Sequence, residues 1–374
     1  TGVQTVTLEK GSQIIGAVDL GGGEDSITLA GNGISGRVLT TNVENLSVGP
    51  NAAGVIIGNE IHSVDPTGTA MLTTNLSKLS LSIHDIVDSR SHQAYPESSF
   101  KGKKSPLWIN LFGANSKRGA DAGNLAYKSS NAGFVGGYEL DSKNSKGVIF
   151  GVSSGELATK SESFKADVDS IFVGAYKNFN LTKSTTLSTD LVAGYERYSS
   201  KRAVVDNING MQTARSDFNN LFISPSVSLE HKIKLTKMFE LRPRARLSYT
   251  SSLFDGHKET GTTSSNIKTS SRKAHIFNSR VGVNAVAKLN GHQLELGAGF
   301  DTRIIKEDKV GASINATSFK FNTNNDNNVN GKYVRIGVRI LDLKGLSVVG
   351  SIEKRTADGD ESGYFGQLGA SYGF

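Results

Sequence analysis

Few residues in this sequence have the type and spacing that catalysis or ligand binding requires. Asp255 and His257 stand two positions apart in a polar segment, and His275 follows. A hydrolytic site that pairs a carboxylate with an imidazole is therefore one function to consider. A histidine in a polar loop is more often a solvated side chain. The sequence GGGED at residues 21–25 is similar to a calcium-binding β-roll repeat, but such sites need several tandem copies and only one imperfect copy occurs. We therefore expect neither a catalytic site nor a metal site here.

The composition excludes several further classes of protein. The chain has 374 residues and no cysteine, which excludes a disulfide scaffold and a cysteine-ligated metal. No GxxxxGK phosphate loop is present, and we expect no cofactor. The net charge of +7 is spread in mixed sign without basic, aromatic-rich runs, so we expect no nucleic-acid partner. No window approaches the roughly 18 consecutive apolar residues of a membrane helix.

The first segment, residues 1–62, consists of short β-type runs separated by glycine and asparagine. Thr1 is not an initiator methionine and residues 1–20 contain no export signal, so we expect a mature piece or a fragment. The spacing of roughly 10 to 12 residues between apolar pairs predicts successive short strands, as in the last rungs of a β-solenoid. These pairs are Ile14 and Ile15, Ile27 and Leu29, Val38 and Leu39, Leu46 and Val48, and Val55 and Ile57.

The next segment, residues 63–104, contains a predicted helix at about 70–92. Leu72, Leu76, Leu79, Ile83 and Ile86 follow the three-and-four spacing of one helix face, and no glycine or proline interrupts the run. The opposite face is polar. A single helix between two β regions needs a surface to pack against.

The remaining segment, residues 105–374, predicts twelve strands. Connections alternate between short polar turns and longer loops, the longest at 201–213, 251–271 and 305–330, as in an outer-membrane β-barrel. A transmembrane strand needs only about 9–11 residues, so such a barrel keeps the mean hydropathy of a soluble protein, here -0.27. The predicted strands are 106–115, 125–140, 147–161, 167–179, 186–200, 214–231, 239–250, 272–289, 292–304, 331–341, 345–355 and 362–374.

Charged side chains in these strands occupy the positions that alternate with apolar ones. An arginine or lysine on the lipid face at mid-bilayer costs about 2–4 kcal/mol, so we assign these charges to the barrel interior. An antiparallel soluble sandwich also alternates, but twelve consecutive strands and three arginines stacked on one strand favour the barrel. The predicted interior charges are Asp190, Glu196, Glu230, Arg242, Arg244, Arg246, Arg280, Glu295, Asp301, Arg303, Arg335 and Arg339, with Lys288 and Glu353.

The order of β-solenoid end, helix and barrel, with a last strand that reads YFGQLGASYGF, resembles the translocator of classical, monomeric bacterial autotransporters. The resemblance covers essentially the whole chain. It implies type V secretion, in which an outer-membrane barrel translocates its own N-terminal passenger and anchors it at the cell surface. It also implies periplasmic chaperones and the barrel-assembly machinery as partners. The residues that would form the assembly signal are Tyr364, Leu368, Tyr372 and Phe374.

The resemblance further implies that the helix lies inside the barrel and plugs the pore through charge pairs with the wall. Alternatively, many wall charges pair across neighbouring strands and never touch the helix. If the helix is such a plug, replacing Arg242, Arg244 and Arg246 together with serine should raise the conductance or loosen the helix, whereas unchanged conductance would count against it. The pore-helix residues in this interpretation are Leu76, Leu79, Ile83, Asp85, Ile86, Asp88 and Arg90, with Lys78, His84 and His92 as further polar groups.

Three other functions remain as alternatives. Some members of the family cleave their passenger inside the barrel with paired asparagines and a carboxylate; this helix has only Asn75. Asp190 or Glu196 could serve as the carboxylate, but nothing in the sequence selects either of them. An outer-membrane barrel enzyme would need a placed histidine with serine or aspartate. A solute porin would need neither the helix nor the β-solenoid, so both features weigh against it.

Overall fold

The computed structural model describes residues 2–31, 35–91, 107–121, 123–141, 146–289, 292–323, 328–343 and 346–372. Seven short strands open this part of the chain, and one helix, α1 (Thr67–Ser91), follows them. The seven are β1 (Thr5–Leu8), β2 (Val18–Asp19), β3 (Ser26–Leu29), β4 (Gly36–Thr41), β5 (Asn45–Val48), β6 (Gly54–Ile57) and β7 (Glu60–Ser63).

Seventeen strands follow the helix within the described residues. They are β8 (Leu107–Arg118), β9 (Tyr127–Asp141), β10 (Lys146–Thr159), β11 (Phe164–Asn180), β12 (Thr185–Asp206), β13 (Gly210–His231), β14 (Ile233–Lys234), β15 (Phe239–Phe254), β16 (His257–Lys258), β17 (Lys268–Thr269), β18 (Arg272–Leu289), β19 (His292–Glu307), β20 (Val310–Ile314), β21 (Thr317–Phe321), β22 (Asn328–Leu343), β23 (Leu346–Ala357) and β24 (Glu361–Tyr372).

Twelve of these strands form a closed antiparallel barrel. They pair in chain order as β8 to β13, β15, β18, β19 and β22 to β24, and β24 closes the barrel on β8 from Ser362↔Lys117 to Tyr372↔Leu107. The prediction of a twelve-stranded antiparallel barrel with one helix is confirmed. Closure gives each of the twelve strands a neighbour on both sides, so the barrel has no edge strand.

The side chains of the wall alternate between an exposed outer face and a buried inner face. On β13 the burial alternates at almost every residue from Thr213 to His231, and on β11 from Lys165 to Tyr176. Leucine, isoleucine, valine and phenylalanine dominate the outer face, and charged and hydroxyl side chains are common on the inner face. Within the described residues, no helix has the length and apolar character needed to span a bilayer.

The helix runs through the barrel interior from one rim to the other. Its 25 residues correspond to about 37 Å at 1.5 Å per residue. At its start, the Thr67 hydroxyl accepts a hydrogen bond from the backbone of Leu125 on the side of the long loops. At its end, Arg90 pairs with Glu139 near the short turn after β9. The structure places α1 at 67–91, close to the predicted 70–92; His92 lies outside the described residues.

The N-terminal strands form a small parallel stack beside the loop-side rim. Strands β1, β3 and β5 pair in parallel and in register, and Leu8, Ile27, Leu29 and Ile61 are buried among them. A second small sheet, made by β16, β17, β20 and β21 in the long loops, packs its apolar face against β6. The N-terminal segment therefore rests on the same rim from which the helix enters.

Two predicted loops are largely strand: 305–330 contains β20 and β21 with the adjoining ends of β19 and β22, and 201–213 is the second. The sequence places a loop at 201–213, whereas β12 continues to Asp206 and β13 begins at Gly210. The extension has a partner, because β4 pairs in parallel with the end of β12 and the Asn207 side chain hydrogen-bonds to both backbone groups of Leu39. This pairing depends on a residue range about 165 positions away, which local sequence does not reveal.

Candidate functional site: the helix and the interior of the barrel

An apolar stripe on α1 packs against the inner wall of the barrel. Leu76, Leu79, Ile83 and Ile86 are at most 2% exposed and recur every three or four residues, so they lie on one side of α1. Sequence analysis missed their partners, because it assigned a uniformly polar character to the interior. The apolar side chains of the wall that pack in this cluster are Trp108, Phe112, Val135, Ile149, Phe172, Tyr176, Val192, Phe222, Ile276, Ile305 and Phe365.

A second contact is the ion cluster around Asp85. Its carboxylate lies 2.8 Å from Arg246 Nη1, 3.1 Å from Arg280 Nη1 and 2.8 Å from Arg355 Nη2, on three different strands. Arg280 also pairs with Glu353 at 2.9 Å. Since Asp85 is completely buried, these charge-assisted contacts are needed to offset its desolvation.

Asp88, one turn further along α1, forms the next contact. It pairs with Arg244 and, at 3.0 Å, with Arg246, and it accepts a hydrogen bond of 2.8 Å from the Ser228 hydroxyl. The third arginine of the stack, Arg242, pairs instead with Glu240 at 2.8 Å. Two of the three stacked arginines therefore bind the helix, and one binds the wall.

Ion pairs also hold the rest of the helix. Lys78 Nζ lies 3.0 Å from Glu361, which also pairs with Arg303 at 2.8 Å. Near the other rim, Arg90 Nη2 lies 2.7 Å from Glu139. The helix thus contacts charged groups in three separate turns, which fixes its depth and its rotation in the pore.

His84 connects the helix to three strands through a chain of hydrogen bonds. Its Nδ1 contacts Asp190, its Nε2 lies 2.8 Å from the Ser224 hydroxyl, and Ser224 in turn contacts Thr250 at 2.8 Å. This order of Asp, His and Ser is that of a hydrolase triad. However, His84 and Ser224 are 0% exposed, so a substrate carbonyl has no access to Ser224 Oγ in this arrangement.

The other predicted interior charges lie in the wall with varied partners. Glu196 accepts hydrogen bonds from Tyr198 on its own strand and from Asn220 on the neighbouring strand β13. Asp190 contacts His84, so these partners of the two acids are side chains other than Asn75. Asp301 pairs with Arg280 at 3.2 Å. Arg335 donates a hydrogen bond to Ser351, and Lys288 pairs with Glu240. A cavity beside Asp88 is lined by Glu230, Glu295 and Arg339.

The comparisons identify the family to which this barrel and helix belong. Residues 107–341 match the family model described as the autotransporter beta-domain. The chain belongs to the autotransporter family. It is an outer-membrane β-barrel of type V secretion, which translocates and anchors its own passenger, and the barrel is monomeric. No curated protein sequence matches the chain.

Two solved autotransporter structures share the fold. The translocator domain of the autotransporter NalP from Neisseria meningitidis has a TM-score of 0.63 at 12% identity, over 83% of this chain and 100% of that one. The beta domain of the Bordetella autotransporter BrkA has a TM-score of 0.51 at 15% identity, over 72% and 99%. At these identities the likeness concerns the backbone fold and not individual side chains.

The predicted assembly-signal residues of this autotransporter lie on the outer face of β24. Tyr364, Leu368 and Tyr372 are 49%, 56% and 47% exposed, and Phe374 lies outside the described residues. Four aromatic residues of the barrel strands point inward, where they fill the interior around the helix or around the arginines that bind it. They are Trp108, Tyr127, Tyr198 and Tyr333.

The N-terminal segment of the autotransporter is tied to the barrel rim by a second charged cluster. Arg37 Nε donates to Glu60 at 2.9 Å and its Nη1 lies 3.2 Å from Asp206, while His62 Nε2 lies 2.8 Å from Glu60. The hydrogen bond from Arg37 lowers the pKa of the Glu60 carboxyl, and burial lowers the pKa of the His62 imidazole. Among the described residues, no group of three or more histidine and acidic side chains is arranged to hold a metal ion.

These two pKa shifts predict that the rim contact weakens in acid. A group whose pKa is depressed in the folded state stabilises that state above its ordinary pKa, and this contribution is lost as the pH falls through the folded-state value. The loss should therefore begin below 6.5 for His62 and continue below 4.5 for Glu60. The measurement is hydrogen exchange, corrected for intrinsic rates, at the amides of Val205 and Asn207, which bond to Ser35 and Arg37. Glu60→Gln should flatten the pH dependence below pH 5; an unchanged profile would contradict it.

Proposed function

We propose that residues 63–104 form the linker of this translocator and that α1 closes its pore after passage of the passenger. The observation that carries this proposal is the seat of Asp85 among Arg246, Arg280 and Arg355. A buried carboxylate with three arginines from three strands favours one position of the helix over others. Such clusters are better at specifying a position than at adding stability.

We propose further that residues 1–62 are the end of a β-solenoid passenger held at the cell surface and that residues 105–374 are the translocator barrel. The parallel, in-register pairing of β1, β3 and β5 supports a solenoid end, and its contact with the long loops supports the surface location. The outward apolar face of β24 is the segment that we expect the barrel-assembly machinery to recognise. Periplasmic chaperones would bind the chain before assembly.

Protease shaving of intact Gram-negative cells tests this orientation. The chain is expressed behind an export signal with an epitope tag placed before Thr1. We expect external protease to remove the tag while a heat-modifiable barrel fragment survives in the membrane. A tag that is protected until the outer membrane is permeabilised, with a folded barrel present, would overturn the proposed surface location.

A further inference from the structure

Five cationic side chains form a row on the outer face of the barrel, near the loop-side rim. The row crosses six consecutive strands, β8 to β13, at positions that lie directly opposite one another. All five cations are exposed, and the sixth position is an alanine. In order around the wall the row consists of Lys117, Lys128, Ala158, Lys165, Lys201 and Arg215.

The cations of such a row repel one another unless anions lie beside them. Neighbouring strands are about 4.8 Å apart, and like charges directly opposite each other are destabilising. Lys165 pairs with Glu156 at 3.2 Å. Within the described part of the chain, Lys117, Lys128, Lys201 and Arg215 form no ion pair with a carboxylate. The neighbouring row on the membrane side, two residues along each strand, contains three acidic residues, Glu156, Asp167 and Asp217, so the five cations remain in excess.

The row lies on the loop side of the lipid-facing band, and two outward-facing rows separate them. Leu111, Ile171 and Leu221 are exposed apolar residues on the same outer faces, 54%, 57% and 57% exposed, and each stands six residues from a cation of the row. Six residues span about 20 Å along a strand, and about 14 Å in height for a strand tilted by about 45°. Long lysine side chains tend to bend along an apolar wall toward a polar layer, which shortens the distance that a lipid phosphate would have to span.

The outer surface of the wall has a groove between the first two lysines of the row. A groove of about 350 Å³ lies between Lys117 and Lys128, with Asn115, Ser130 and Tyr364 among its lining residues. Glu156 also lines it, and its carboxylate pairs with Lys165. Small residues continue the groove toward the membrane, since a Cβ added to Gly113 would meet no atom within 4 Å. The groove thus combines two unpaired ammonium groups, hydrogen-bonding side chains and an open path toward the apolar band.

We propose that this row binds the phosphate groups of a phosphorylated glycolipid of the outer leaflet, with the groove between Lys117 and Lys128 as its main site. Phosphate oxygens accept charge-assisted hydrogen bonds from lysine and arginine and cancel the repulsion within the row. An acyl chain of the same molecule would lie on the apolar band below. The proposal rests on the orientation given under the proposed function, with the long loops on the outer side.

The test measures binding of a fluorescent, bisphosphorylated lipid A by the purified full chain in nanodiscs of neutral phosphatidylcholine. We compare the wild type with a variant that carries K117Q, K128Q, K165Q, K201Q and R215Q. Loss of these contacts should weaken the apparent affinity by at least about tenfold, since charged hydrogen bonds are the strong ones. The control variant removes five exposed lysines near the opposite rim, with K146Q, K177Q, K183Q, K234Q and K237Q, and should bind like the wild type.

Two further arms identify the ligand chemistry. Lipid A without phosphates should bind as weakly to the wild type as bisphosphorylated lipid A binds to the row variant, and inorganic phosphate should not displace the probe. The proposal is overturned if the row variant binds like the control, if the dephosphorylated lipid binds equally well, or if inorganic phosphate displaces the probe. Because this assay uses purified protein, it is independent of the shaving experiment, and failure of the proposed orientation leaves the binding result unchanged.

Discussion

Replacing Asp85 with alanine should weaken the seat of the helix by about 3–5 kcal/mol and raise the conductance of the pore, since loss of one partner leaves buried charges uncompensated. Arg246 and Arg280 would keep their positive charges in the interior without the carboxylate that they share. Glu353 would still neutralise Arg280 in part. The electrostatic change therefore pushes the helix away from its present position.

Single-channel recording of the purified full chain in planar bilayers measures this effect. Asp85→Ala should conduct more than the wild type, and Asp85→Asn should fall between them because it retains hydrogen bonding without the charge. The matched control is Glu196→Gln, since Glu196 is equally buried but binds Tyr198 and Asn220 of the wall. Equal conductance of Asp85→Ala and the wild type would contradict the role of the cluster as the seat of the helix.

The barrel could be predicted from the sequence because the polarity of each wall residue indicates whether its side chain faces the lipid or the interior. Polar residues such as Arg244 and Arg246 alternate with apolar ones such as Ala245 and Leu247, and the antiparallel pairing of neighbours follows from short connections. The ends of the strands were less accessible. The extension of β12 depends on its pairing with β4, which no local pattern encodes.

The ion-pair partners of the interior charges could not be predicted from the sequence in this way. Alternation places Arg242 and Arg246 on one face, but it does not reveal that one pairs with Glu240 and the other with Asp85. That choice depends on the stagger of the strands and on the depth and rotation of the helix, which the whole barrel determines. The apolar patch on the inner wall was missed for a related reason. Phe172 and Phe222 occupy inward positions, and their apolar side chains are explained only by their packing against the helix.

Ile83→Ala should destabilise the seated helix by about 2–5 kcal/mol, because a buried side chain is lost and the surrounding wall cannot close the cavity. Ile83 is 0% exposed and packs in the cluster that includes Phe172 and Phe222. The twelve paired strands of the wall should be unaffected. Faster hydrogen exchange confined to α1, with unchanged heat modifiability of the barrel, is the expected result.

Ile171→Ala is the matched control, because Ile171 lies on the outer face of β11 and is 57% exposed. The same substitution there should leave exchange in α1 unchanged, and an equal effect of both substitutions would contradict a seat on the inner wall. Ile83 and Asp85 have separate partners, since one contacts the apolar patch and the other contacts arginines. Because the two side chains lie two positions apart on one helix, which both contacts hold in place, the effects of Ile83→Ala and Asp85→Ala should not simply add. A sum that holds to within about 0.5 kcal/mol would mean that the apolar and charged contacts act independently.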